Sequence, residues 1–171
     1  MIKNSLVKYS ALALLLMSSV AQAAPASPSQ DYITGYVGYF DVIRNDYNAT
    51  QFGLEYRGKR IQYNIRPLIG INATTDSSVY GYVGLNYDAE LIPNQLYLTP
   101  NFAVGAYKQG DGKDLGGTIE FRSGIELEYQ FPNSHRLGVA FNHISNASIY
   151  DHNPGSEAVL VTYSLPMSAF R

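Results

Sequence analysis

Three residues of the types used in nucleophilic acyl transfer lie close together near the end of the chain. His143 and Ser145 are two residues apart, and Glu157 follows the serine by twelve. A serine hydroxyl becomes nucleophilic when an adjacent base takes its proton, and that base is in turn oriented by a third group. The segment Leu137 to Asn146 alternates, so His143 and Ser145 share a strand face with Leu137, Val139 and Phe141. In the next segment Glu157 shares a face with Val159, Val161, Tyr163 and Leu165. A hairpin symmetric about Asp151 sets Ser145 opposite Glu157 and His143 opposite Val159. Facing residues lie about 5 Å apart and diagonal ones about 7–8 Å apart, which lets a glutamate reach the imidazole. Polar groups on an aliphatic face are costly in lipid, which favours a functional reading of the three together. Taken singly, each also fits a place where a strand emerges into water.

Other chemistries are poorly supplied. The chain has 171 residues and no Cys, which removes disulfides, thiol nucleophiles and Cys-ligated metals. His143, Asp151 and His152 show no recognised metal-ligand spacing, and His135 and His152 read as ordinary exposed histidines. The formal net charge is −2 and no basic stripe is present, so nucleic acid is not an expected partner.

The elements that must position these residues are strands. Lys3 and Lys8, an apolar run from Ala11 to Met17 and the small residues Ala21-Gln22-Ala23 make residues 1–23 a secretory signal peptide, leaving 24–171 as one domain with a net charge of −4. Beyond it there is no helical stripe and no apolar run long enough for a spanning helix. Alternation dominates, and predicts eight strands near 32–43, 50–57, 61–73, 78–88, 95–107, 116–130, 135–146 and 156–165. In the sixth, Ile119, Phe121, Ile125, Leu127 and Tyr129 share one face, while Glu120, Arg122, Glu126 and Glu128 share the other. Pro67 and Pro100 fall inside strands and are expected to mark bulges, because proline removes a ladder donor.

Eight antiparallel strands suit a soluble barrel with an apolar lumen or a membrane barrel with an apolar exterior. Strands of about ten or more residues can cross a bilayer with tilt. Tyrosines near strand ends suit an interfacial girdle. Only 15% of the residues are charged, and Phe170 resembles the C-terminal aromatic signal of outer-membrane barrels. These features favour an all-β, eight-stranded antiparallel transmembrane barrel in the outer membrane. Arg66, Glu120, Arg122, Glu126 and Glu128 are then expected inside. With both termini periplasmic, the longer connectors after the fifth and seventh strands face outward.

His143-Ile144-Ser145-Asn146-Ala147, a loop containing Asn153, and Glu157 twelve residues after the serine resemble the PagL-type lipid A 3-O-deacylases, outer-membrane acyl hydrolases. The motif match covers roughly the last 30 residues; elsewhere the likeness is in length, leader and strand pattern. The resemblance implies that Ser145 is the nucleophile, His143 the general base and Glu157 the orienting acid, with Asn146 and Asn153 around the oxyanion site. Ser148 departs from the family, which commonly has Gly there. The implied substrate is lipid A of lipopolysaccharide in the outer leaflet, and the implied product a 3-hydroxy fatty acid, with no metal or other cofactor. A non-enzymatic small barrel of the adhesin or structural type, and a lipocalin-like carrier, are the other readings of the same strands.

Overall fold

The computed structural model describes residues 29–170. The leader read at 1–23 lies outside them. The alternating segments form β1 (Tyr32–Phe40), β2 (Ala49–Arg57), β3 (Ile65–Thr74), β4 (Val79–Tyr87), β5 (Ala89–Ile92), β6 (Leu96–Lys108), β7 (Ile119–Gln130), β8 (Arg136–Ser145) and β9 (Ser156–Pro166). Every neighbour pair is antiparallel. β1 pairs with β9, and β4 and the four-residue β5 both pair with β6, so the sheet closes on itself. β4 and β5 form one stave interrupted at Asp88, which gives an eight-stranded barrel.

Several strand ends differ from the sequence reading, each for a local backbone reason. β1 stops at Phe40, short of the expected 43, because Asp41 is left-handed (φ 61°). Residues 62–64 are a 3-10 turn with Tyr63 and Asn64 left-handed, so β3 starts four residues later than expected. Neither proline makes a bulge. The β3–β4 register runs unbroken through Pro67, which pairs with Leu85, and the carbonyl of Pro67 accepts from the Gly58 N–H, 2.8 Å. In an antiparallel strand N–H and C=O of one residue point to the same side, so the missing donor faces the turn beyond β2, not β4. Pro100 pairs with Ile125 on β7 and lies opposite the gap between β4 and β5. The register shift in the sheet falls instead between Glu90 and Ile92.

The two faces separate as the alternation requires. Val37, Leu54, Ile71, Val83, Phe102, Val139 and Val161 point outward and are each more than half exposed. An apolar wall of this extent is stable against hydrocarbon, not water. Arg66, Glu120, Arg122, Glu126 and Glu128 point inward and are at most 6% exposed. Six of the 15 tyrosines, Tyr32, Tyr36, Tyr80, Tyr82, Tyr97 and Tyr107, are buried inward as well, so only part of the tyrosine content forms a girdle.

Most of the inward charges are paired; the carboxylate of Glu120, buried with no hydrogen-bond partner among the described residues, is the exception. Arg57 bridges Glu55 (2.7 Å), Glu126 (2.7 Å) and Glu128 (3.0 Å), while Arg122 joins Glu55 at 2.9 Å. Asp88, at the stave break, accepts from Arg60 (3.0 Å), Arg66 (2.8 Å) and Arg136 (3.3 Å). The guanidinium of Arg122 lies over the Tyr82 ring and that of Arg136 over Tyr97. Side chains therefore cross the lumen from wall to wall at the levels of these two clusters.

The end carrying the longer connectors is tied by a second cluster. Lys113, from the β6–β7 connector, and Ser156, at the start of β9, both donate to Asp41 Oδ1. The backbone N–H groups of Asp46 and Tyr47 donate to its Oδ2, each at 3.0 Å. Asp41, Lys113 and Ser156 are all buried. Burial pushes the Asp41 carboxyl up, but hydrogen bonds from Lys113 and Tyr47 outweigh it and hold the carboxyl below its ordinary value.

Arg57→Met leaves buried Glu126 with no counter-charge, while Glu55 keeps Arg122 and Glu128 keeps Arg136, and is expected to cost about 3–5 kcal/mol, read as a lower unfolding midpoint in urea of the micelle-embedded barrel. An unchanged midpoint would remove the ion cluster from the account of stability. For Asp41, a depressed carboxyl contributes stability that is full above the ordinary carboxylate value and is lost progressively as pH falls from that value through the lowered one. Hydrogen-exchange protection factors, corrected for the intrinsic pH dependence of amide exchange, should fall in 41–48 and 109–118 on acidification of the wild type, and be low at every pH in Asp41→Asn. Parallel acid profiles for the two proteins would contradict this.

Candidate active site

β8 and β9 bring the histidine and the glutamate face to face on the outer wall. His143 pairs directly with Glu157, and Ile144 with Ser156. This corrects the expected register, in which Ser145 opposed Glu157 and His143 opposed Val159. The hairpin is centred one residue earlier, on Tyr150, because left-handed residues at Ala147, Ser148 and Gly155 set the path of the loop. The shift is an even number of residues along the partner strand, so both side chains keep their outward face.

The His143 Nδ1 lies 2.9 Å from Glu157 Oε1, with the imidazole 42% and the carboxylate 19% exposed. A carboxylate only accepts, so this contact places the ring proton on Nδ1 and leaves the Nε2 lone pair free. A Cβ on Gly155 would stand 3.0 Å from His143 Cε1 and 3.6 Å from Nε2. The Nε2 edge therefore rests over Gly155, which lies across from Ser145 beyond the last pair of the ladder. Gly155 was not singled out in the sequence; its left-handed φ of 61° and the close approach of the ring both require a residue without a side chain. Ser145 pairs with Phe121 on β7 and is partly exposed on the same wall. No hydrogen bond joins Ser145 to His143 among the described residues. Such contacts are often long before substrate is bound.

Asn146 and Asn153 build the loop behind the serine. The Asn146 amide is fully buried, its Nδ2 donating to Leu115 O and His152 O (both 2.8 Å), and its Oδ1 accepting from Ser148 N (3.0 Å). Asn153 Oδ1 accepts from Asn146 N at 3.1 Å, and its Nδ2 donates to Ser148 Oγ at 3.3 Å. The donors of the Asn146 amide are thus spent on the loop, while the N–H of Ala147 has no partner among the described residues. Ser148 has a φ of 62°, a region that favours glycine, and its hydroxyl is held by Asn153.

Below the site, pairs Phe141–Val159 and Val139–Val161 continue the wall as an apolar lane. His135 is not brought to the site; its Nδ1 bonds the Tyr163 hydroxyl at 2.8 Å near the opposite end of β8 and β9. His152 contributes its carbonyl to Asn146. Among the described residues no group of three or more His, Asp or Glu side chains could hold a metal ion.

The family model described as lipid A 3-O-deacylase (PagL) matches residues 36–166. Lipid A deacylase PagL of Bordetella bronchiseptica is 22% identical over 175 residues, covering 95% of this chain and 97% of its own. Among solved structures, that of the outer membrane enzyme PagL superposes with a TM-score of 0.63 at 17% identity, over 79% of this chain and 99% of that one. A de novo designed transmembrane β-barrel gives 0.58 at 15% identity (82% and 98%), and Neisserial surface protein A 0.52 at 14% (83% and 99%). The structural likenesses show the fold of an outer-membrane barrel. The family match spans most of the chain and includes the whole His143–Glu157 hairpin, and the chain belongs to the lipid A 3-O-deacylase family of outer-membrane hydrolases.

Proposed function

We propose that the protein cleaves the 3-O-linked acyl chain of lipid A, using Ser145 as nucleophile, His143 as general base and acid, and Glu157 as the carboxylate that orients the imidazole. The observation that carries this reading is the 2.9 Å His143–Glu157 contact on a wall that otherwise meets lipid. Ser145 Oγ bonds to the ester carbonyl carbon while its proton passes to His143 Nε2. The tetrahedral intermediate collapses, the sugar oxygen leaves with the proton from the imidazolium, and the acyl group stays on the serine. Water then attacks the acyl-serine, giving a proton to Nε2; the fatty acid leaves and Ser145 regains its hydrogen. Glu157 stabilises the transient positive ring in both halves.

The N–H of Ala147, two residues after Ser145 in sequence and left without a partner among the described residues, is the donor assigned to the oxyanion, in a loop built by Asn146 and Asn153. One such donor commonly contributes about 2.7–4 kcal/mol. After removal of the leader, the barrel sits with the 146–155 loop at the outer leaflet. Lipid A is there already, and its acyl chain lies along Phe141, Val139, Val159 and Val161 without entering the lumen.

Ser145→Ala and His143→Ala are expected to insert normally and to lose at least about 10³-fold in release of hydroxy fatty acid, with Glu157→Gln reduced on the order of 10²–10⁴. Mass spectrometry of lipid A from cells expressing each form reads this as retention of one hydroxyacyl chain. Equal loss of the chain in wild type and Ser145→Ala would refute the assignment. Gly155→Ala, which crowds the imidazole, should lower kcat while leaving the barrel folded, and a normal kcat would separate Gly155 from the placement of His143.

A further inference from the structure

Away from the strand ends and apart from tyrosines, the outward face of the barrel carries one polar side chain that the triad does not use. Apart from tyrosines, the outward polar residues of the strands are Thr50, Lys108, Ser123, His143, Ser145 and Glu157. Thr50 and Lys108 stand at the ends of their strands, where the wall meets water. Ser123 does not: it is in the interior of β7, exposed, with Phe121 and Ile125 on either side of it along the same face. Across the ladders it pairs with Phe102 on β6 and with His143 on β8. Its hydroxyl makes no hydrogen bond among the described residues. A single row thus runs Ser123, His143, Glu157 across β7, β8 and β9.

Ser123 lies one row deeper than Ser145, which pairs with its neighbour Phe121. Diagonal positions of this kind are about 7–8 Å apart. The deeper side is the side on which the apolar lane of Phe141 and Val159 begins, and so the side on which an acyl chain leaves the ester. A hydroxyl there meets the first carbons of the chain, not the sugar. We infer that Ser123 is a specificity residue that hydrogen-bonds an oxygen substituent on the acyl chain close to the scissile carbonyl, so that the site selects 3-hydroxyacyl over unsubstituted acyl esters. This rests on the lipid A ester reading above. In a wall of hydrocarbon, a hydroxyl on the chain and one on the protein satisfy each other, and an unsubstituted chain leaves Ser123 without a partner.

The test uses the full chain in detergent micelles and two monosaccharide lipid A precursors, one with a 3-O-(3-hydroxytetradecanoyl) and one with a 3-O-tetradecanoyl chain. Wild type should favour the hydroxylated ester by roughly three- to tenfold in kcat/KM, the range of one neutral hydrogen bond. Ser123→Ala should bring the ratio close to one, chiefly by slowing the hydroxylated ester, and Ser123→Thr should restore it. The same preference in wild type and Ser123→Ala, or equal slowing of both esters, overturns the inference while leaving the triad intact. Hydrolysis of neither ester by folded wild type would instead overturn the lipid A reading, and this inference with it.

Discussion

Inside hydrocarbon no water is available to hydrogen-bond a peptide group, so each N–H and C=O of a spanning strand must find its partner in another strand. Closure of the sheet by β1 with β9 and by β4 with β6 meets that demand and leaves no edge in the bilayer. The rest of the architecture descends from it. A closed ring of alternating strands has one face toward lipid and one toward a narrow interior, and the interior must then be filled. Arginine and glutamate fill it here largely as a network in which Arg57, Arg60, Arg66, Arg122 and Arg136 each meet a carboxylate. Removing water from one of them alone costs several kcal/mol.

The same constraint explains why the site is conspicuous. On the lipid side, a polar side chain is expensive unless it serves a purpose or sits at a rim. His143 and Glu157 reduce that cost by bonding each other, and they lie at the end of the barrel where the loop 146–155 offers further polar groups. The barrel wall supplies rigidity through backbone pairing on both sides of β8, and the loop supplies fine placement through the buried Asn146 amide. The Asp41–Lys113–Ser156 cluster ties the neighbouring connectors to the first residue of β9, next to Glu157.

Much of this was legible in the chain because period-two alternation is a local property. The faces of β7 could be assigned from Ile119 to Tyr129 alone, and the lumenal placement of Arg66, Glu120, Arg122, Glu126 and Glu128 followed. What required left-handed residues was not legible. Ala147 and Ser148 carry no sequence mark of their positive φ, and without them the last hairpin was centred one residue too late. The break at Asp88 was hidden for another reason: it is stabilised by Arg60, Arg66 and Arg136 from three distant segments. Long-range partners also conceal the role of Lys113, whose place in a loop suggests a solvated cation and which is in fact buried. Pro67 and Pro100 misled in the opposite sense, since each lies where one neighbouring strand has ended or paused.

The packed interior has a meaning for the cell as well as for the fold. An outer membrane is a permeability barrier, and every barrel inserted in it is a possible leak. Here tyrosine rings and ion pairs lie across the axis and narrow any path for solutes or current. An acyl hydrolase of this design can be displayed at high density to remodel the surface of the bilayer, with little opening of the barrier beneath that surface.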